Sequence, residues 1–189
     1  MATATVKLDD TDFDLFGLPP RHALDRTALD ARWRQLQAEV HPDRFASDGA
    51  AAQRVAMQWA VRVNEAYQRL KDPVRRAAYL CALRGVPVDA ERNTAMPAGF
   101  LVQQMEWREA LADARTLDAV EQLREDVAGT ERGLLADLTS RLDTVNDNDN
   151  DGGTDHDTEG AATQVRALMF VQRFQQDIER RLDVLDTTR

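Results

Sequence analysis

The stretch Val40-His41-Pro42-Asp43-Arg44-Phe45 decides how the first half of the chain folds. Proline disfavours a helical residue before it, so a helix arriving at Val40 must end at His41. Upstream, Asp25 is a suitable N-cap. From there Leu29, Trp33, Leu36 and Val40 recur at spacings of four, three and four, which is one helix face. Downstream, Val55, Trp59, Val63, Ala66, Tyr67 and Leu70 stripe a longer helix from about Ala50 to Lys71. Asp72-Pro73 breaks that helix and starts another towards Arg84, carrying Val74, Ala77, Tyr79, Leu80 and Leu83. Ahead of it all, Phe13, Leu15, Phe16 and Leu18 form one short apolar turn or helix closed by Pro19-Pro20. His41-Pro42-Asp43 is therefore the tip of a helical hairpin, holding an imidazole, a rigid φ and a carboxylate together. On spacing alone an ordinary helix–helix turn with proline as a stop is the simpler reading, and a recognition tip the alternative.

The rest of the chain is also helical in pattern; Val/Ile/Thr/Tyr alternation and Asn-Gly hairpins are absent. Gly85 to Gly99 contains Pro87 and Pro97 and few large apolar residues, and reads as a linker. Three helices are expected after it: Phe100 to about Ala114, Leu117 to about Leu142, and Ala162 to Leu185. The last has Val165, Leu168, Val171, Phe174, Ile178, Leu182 and Leu185 as its stripe. Asp143 to Gly160 holds seven acids and no lysine or arginine, a composition that predicts a mobile loop at 143–160. The expected architecture is all-α: a first domain over 10–84, a linker over 85–98, and a second domain over 99–189.

Charge divides the chain in the same way. Of 189 residues with net charge −9, residues 1–85 carry 13 basic against 11 acidic side chains, and residues 86–189 carry 11 against 22. The acidic half argues against nucleic acid, whose binding needs cations against phosphates. No apolar run approaches the ~20 residues of a membrane helix, and the acidic N-terminal stretch resembles neither a signal nor a transit peptide. Cys81 is the single cysteine, so one chain has no disulfide framework and no multi-cysteine metal site, and a reducing cytoplasm is the simplest compartment. Catalysis by His41 and Asp43 lacks a nucleophile or cleft, and His22 and His156 are the only other histidines. Neither an enzyme nor a cofactor is expected.

The helix from Phe100 has two faces. With Phe100 at 0° and 100° per residue, Trp107 (about 340°), Leu111 (about 20°) and Ala114 (about 320°) form a core stripe. Opposite it lie Leu101 (about 100°), Met105 (about 140°), Glu109 (about 180°), Val102 (about 200°), Asp113 (about 220°) and Glu106 (about 240°). An apolar group rimmed by carboxylates suits a partner, or packing against a neighbouring helix. Phe170, off the centre of the last helix's stripe, either joins this patch or covers the bundle edge.

The order of short apolar turn, helix, His-Pro-Asp, longer helix and proline-started helix resembles the J-domain of co-chaperones that act on DnaK-class ATPases. The runs Leu15-Phe16-Gly17-Leu18-Pro19, His41-Pro42-Asp43-Arg44-Phe45, Arg76-Ala77-Ala78-Tyr79-Leu80 and Phe100 to Glu109 resemble the HscB family, over about Phe13 to Leu185. That resemblance implies a J-domain joined to a three-helix bundle in an L shape. It implies that His41, Pro42 and Asp43, with Arg32, Arg34 and Arg44, dock on the chaperone HscA and stimulate its ATP hydrolysis. It further implies that Leu101, Val102, Met105, Glu106, Glu109, Asp113 and Phe170 bind the iron–sulfur scaffold IscU, on a chain that holds no cluster itself; separately, a monomer is expected. For each arginine a role on a solvated face is the alternative. Glu39 and Ala110 depart from the family pattern, which has a basic and an acidic residue there.

Two rival readings are a general J-protein with another client and a calcium-responsive helical protein. For the latter, Asp147, Asp149, Asp151 and Gly152 match the start of an EF-hand loop, but the twelfth position is Thr158 and Glu159 comes one residue late.

Overall fold

The computed structural model describes residues 7, 9–90, 96–143 and 157–187. Every regular element among them is helical: α1 (Asp12–Phe16), α2 (Arg26–Val40), a 3-10 turn (Pro42–Phe45), α3 (Ala50–Lys71), α4 (Pro73–Leu83), α5 (Ala98–Asp113), α6 (Leu117–Asp143) and α7 (Thr158–Thr187). The chain separates into two compact units, Met1–Tyr79 and Leu80–Arg189.

In the first unit α2 starts where its cap predicts. The Asp25 carboxylate accepts from the Thr27 and Ala28 amides at 2.8 and 3.3 Å. His41, extended at ψ 127°, ends the helix before Pro42. Pairings of Arg26 with the Lys71 carbonyl, Tyr67 with Asp30, and Gln37 with Asn64 run in opposite chain directions, so α2 and α3 form an antiparallel hairpin. Trp33 stacks on Tyr67 at 4.7 Å and donates to Asn64 at 3.1 Å. Leu29, Leu36, Val63, Ala66, Tyr67 and Leu70 are buried between the helices.

Two polar contacts tie the flanking segments down. Asp12 is fully buried, and Arg62 and Arg69 of α3 each reach its carboxylate at 2.6 Å, which offsets the cost of burying the charge. His22 is buried as well, and its Nε2–H donates to the Pro73 carbonyl at 3.0 Å. Val55, expected in the core stripe, is instead 51% exposed, and Ala56 is buried in its place. Near the tip, Val55 faces only an open apolar groove of about 470 Å³ shared with Val40, Phe45 and Trp59.

The second unit begins inside α4, whereas the periodicity carries the first domain to 84. Leu80 and Cys81 are buried, and Arg84 donates to the Leu142 carbonyl at 3.0 Å. Gly85, at φ +82°, terminates α4, and the Val86 amide returns to the Cys81 carbonyl at 2.9 Å. Within the segment expected as a linker, Val88 is buried and its carbonyl accepts from Arg166 at 3.1 Å; residues 91–95 lie outside the described residues.

The bundle of α5, α6 and α7 has one core cluster of Trp107, Ala114, Val120, Leu123, Val127, Val171, Phe174 and Ile178. Where α6 ends and α7 begins, Leu138, Leu142, Ala161, Val165 and Leu168 are buried too. α7 starts at Thr158, earlier than the expected Ala162, because Asp157 accepts from the Gly160 amide at 2.8 Å and pairs with Arg141 of α6. Residues 144–156 of the acidic stretch lie outside the described residues.

Two outcomes follow from this burial. Leu168→Ala removes a fully buried side chain and lowers stability by about 2–5 kcal/mol in urea unfolding. Burial pushes the Cys81 thiol up to about 11, so at pH 8 only about one thiol in a thousand is thiolate. A thiol reagent at pH 8 then labels the native chain orders of magnitude more slowly than the same chain in urea; equal rates would contradict the burial.

Candidate functional site

At the hairpin tip, Pro42 occupies the first position of the 3-10 turn, where its fixed φ is suitable and its missing N–H costs nothing. The Asp43 amide donates to His41 Nδ1 at 3.3 Å, and the Arg44 amide donates to the His41 carbonyl at 3.0 Å. With Nδ1 accepting, the neutral imidazole carries its proton on Nε2. The Asp43 side chain is 90% exposed, and its Oδ2 lies 3.6 Å from His41 Nδ1. Imidazole and carboxylate are thus adjacent, solvent-facing and held by backbone geometry.

Arg44 differs from a free surface cation. It donates to the Ala38 carbonyl at 3.1 Å, satisfying an end carbonyl of α2 where a positive charge also meets the helix dipole. Arg34 is exposed on α2, and Arg32 is half-buried. Glu39 is exposed in the last turn of the same helix.

In the second unit, the rotation of α5 about its axis decides which residues reach solvent. Trp107 is 4% exposed and stacks on Phe174 of α7 at 5.8 Å, while Phe100 meets Trp107 edge-on at 6.2 Å. Leu111 is partly buried against the same cluster. With that edge inward, Leu101 (46%), Val102 (56%) and Met105 (63%) are left exposed. Glu106, Glu109 and Asp113 are exposed beside them. Among the described residues of this unit, no neighbour covers the face.

Phe170 is placed at the border of this face. Its ring meets Phe100 edge-on at 5.9 Å and stacks on Phe174 at 6.1 Å. Arg108, which lies at about 80° beside Leu101 on the helical wheel, rests over the Phe170 ring at 5.4 Å. Phe170 thus covers the bundle edge, with Arg108 stacked over it. Sequence reasoning missed Arg108, whose partner is sixty residues away, and it missed buried Gln104, which donates to Met96 Sδ at 3.0 Å. Among the described residues no three His, Cys, Asp or Glu side chains gather to hold a metal ion. Asp147, Asp149, Asp151 and Gly152 lie outside the described residues.

Comparison with known proteins fits this geometry. Residues 96–179 match the family model described as the HSCB C-terminal oligomerisation domain. The chain is 49% identical over 184 residues to a co-chaperone protein HscB homolog of Burkholderia mallei, covering 96% of this chain and 99% of that protein. It is 48% identical over 184 residues to the homolog of Burkholderia thailandensis. The solved chaperone HscB from Vibrio cholerae is 34% identical, with a TM-score of 0.75, covering 93% of this chain and 99% of that one. Human co-chaperone HscB, at 23% identity, shares the fold with a TM-score of 0.80, over 90% of this chain and 81% of that one.

The asymmetry of α5 has a measurable consequence. Trp107→Ala lowers stability by about 3–5 kcal/mol, whereas Met105→Ala and Val102→Ala change it by less than about 0.5 kcal/mol. Urea unfolding of the three variants checks this, and a large loss at Met105 would mean that the face is packed.

Proposed function

The chain belongs to the HscB family of co-chaperones, and we propose that it couples an iron–sulfur scaffold to a chaperone ATPase in the cytoplasm. In this reading His41, Pro42 and Asp43 dock on HscA and stimulate its ATP hydrolysis. The α5 face then carries IscU to the same chaperone, assisting iron–sulfur cluster assembly and transfer. The observation that carries the reading is the uncovered Leu101–Val102–Met105 group with its rim of Glu106, Glu109 and Asp113 on a rigidly anchored helix. Exposed apolar surface of this kind marks a partner site. Methionine supplies an adaptable contact, and the carboxylates select for a cationic counterpart.

The roles of the residues follow from their settings. Pro42 holds the turn, and His41 and Asp43 present polar groups that need little ordering on docking, which lowers the entropy cost of the contact. Arg34, exposed on α2, offers a cation to an acidic chaperone surface, while Arg32 lies half-buried on another side of the same helix. Arg44 acts from behind, fastening the turn to the end of α2 through the Ala38 carbonyl. Carrying both modules on one chain makes the second encounter effectively intramolecular and raises the local concentration of client at the ATPase. The chain performs no chemistry of its own.

Calorimetric titration with IscU tests the client assignment. Leu101→Ala/Met105→Ala weakens IscU binding by about tenfold or more, as expected for central apolar contacts. Asp43→Asn leaves it unchanged. Wild-type affinity in the double variant overturns the face as the IscU site, and no binding by the unaltered chain points to another client.

A further inference from the structure

On the other flank of Arg108 the bundle changes sign. A cleft of about 540 Å³ between α5 and α7 is lined by Arg108, Leu111, Arg115, Phe174, Asp177 and Arg181. Three guanidiniums meet there, in a half of the chain that carries 11 basic against 22 acidic residues. The carboxylate lining the cleft, Asp177, pairs with Arg180 instead. Among the described residues Arg108, Arg115 and Arg181 form no ion pair. Arg181 is fixed in place: its Nη2 donates to the Ala114 carbonyl at 2.7 Å, while its Nε is buried with no hydrogen-bond partner among the described residues. Arg108 is fixed over the Phe170 ring, a stacking that leaves the in-plane N–H donors of a guanidinium available.

Gathering three unpaired cations beside an apolar floor, where carboxylates are abundant elsewhere in the bundle, is electrostatically unfavourable in the free chain. Oriented guanidinium donors are suited to carboxylates, which they bind bidentately. We propose that this cleft receives an acidic segment of the scaffold partner, with an apolar side chain against the half-buried Leu111 and carboxylates on Arg108, Arg115 and Arg181; this rests on the scaffold-binding reading of the neighbouring α5 face. The binding surface is then two-toned. Carboxylates of Glu106, Glu109 and Asp113 lie on one side of the Leu101–Met105 patch and arginines on the other, so that only one orientation of the partner pairs every charge.

The test is the affinity of the full chain for IscU as a function of salt, for the unaltered chain and for Arg115→Glu, Arg115→Lys and Leu101→Ala/Met105→Ala. Arg115 is exposed and makes no ion pair among the described residues, so its replacement spares the bundle, which circular dichroism checks. Arg115→Glu is expected to weaken binding roughly threefold to tenfold at low salt and to flatten the salt dependence, acting mainly on the association rate. Arg115→Lys keeps most of the affinity. The apolar double variant loses affinity with its salt dependence intact. If the double variant loses binding while Arg115→Glu retains both affinity and salt dependence, the cleft is overturned and the α5 face stands. If the unaltered chain does not bind IscU, both readings fall together.

Discussion

The stack of Trp107 on Phe174 sets the rotation of α5, and most of what this chain presents to a partner depends on it. A helix has one angular degree of freedom about its axis once its ends are placed. Burying the indole removes that freedom, because turning α5 by even one residue would bring Trp107 towards solvent and Met105 towards the core. Leu101, Val102 and Met105 are therefore exposed as a consequence of what Trp107, Phe100 and Leu111 bury. The same constraint carries Arg108 onto Phe170 and the arginine cleft to the flank of the patch.

In the first unit the equivalent constraint is local. Pro42 forbids α2 from continuing, and the His41 carbonyl and Nδ1 then accept the next amides in turn. The turn also packs against α3, where Phe45 shares an open groove with Val55 and Trp59. Precision at the tip comes from backbone geometry and from Arg44 fastened to Ala38, while the hairpin below it is held by Trp33, Tyr67 and the buried Asp12–Arg62–Arg69 group.

Legibility in the sequence follows the range of the interactions. Asp25 as a cap, Pro42 as a stop and the α3 stripe are short-range signals, and α2 and α3 occur with the expected limits. The angular division of α5 into Trp107 and Met105 faces is equally local and agrees with the burial of its side chains. What sequence reasoning missed depends on residues distant along the chain. The early start of α7 needs Arg141 of α6 to meet Asp157. Val88 is fixed within an apparent linker because Arg166 reaches its carbonyl. The arginine cleft joins Arg115 to Arg181 across the bundle, and no spacing rule links the two.

The central claim is that client capture and ATPase stimulation are coupled through this chain. The most direct measurement is the steady-state ATP hydrolysis rate of HscA with this protein, with IscU, and with both. The account predicts a rate with both that exceeds the sum of the separate effects and that collapses when Asp43 is changed to Asn. Stimulation by the protein that IscU leaves unaltered would contradict the coupling, and no stimulation at all would reduce His41-Pro42-Asp43 to an ordinary turn.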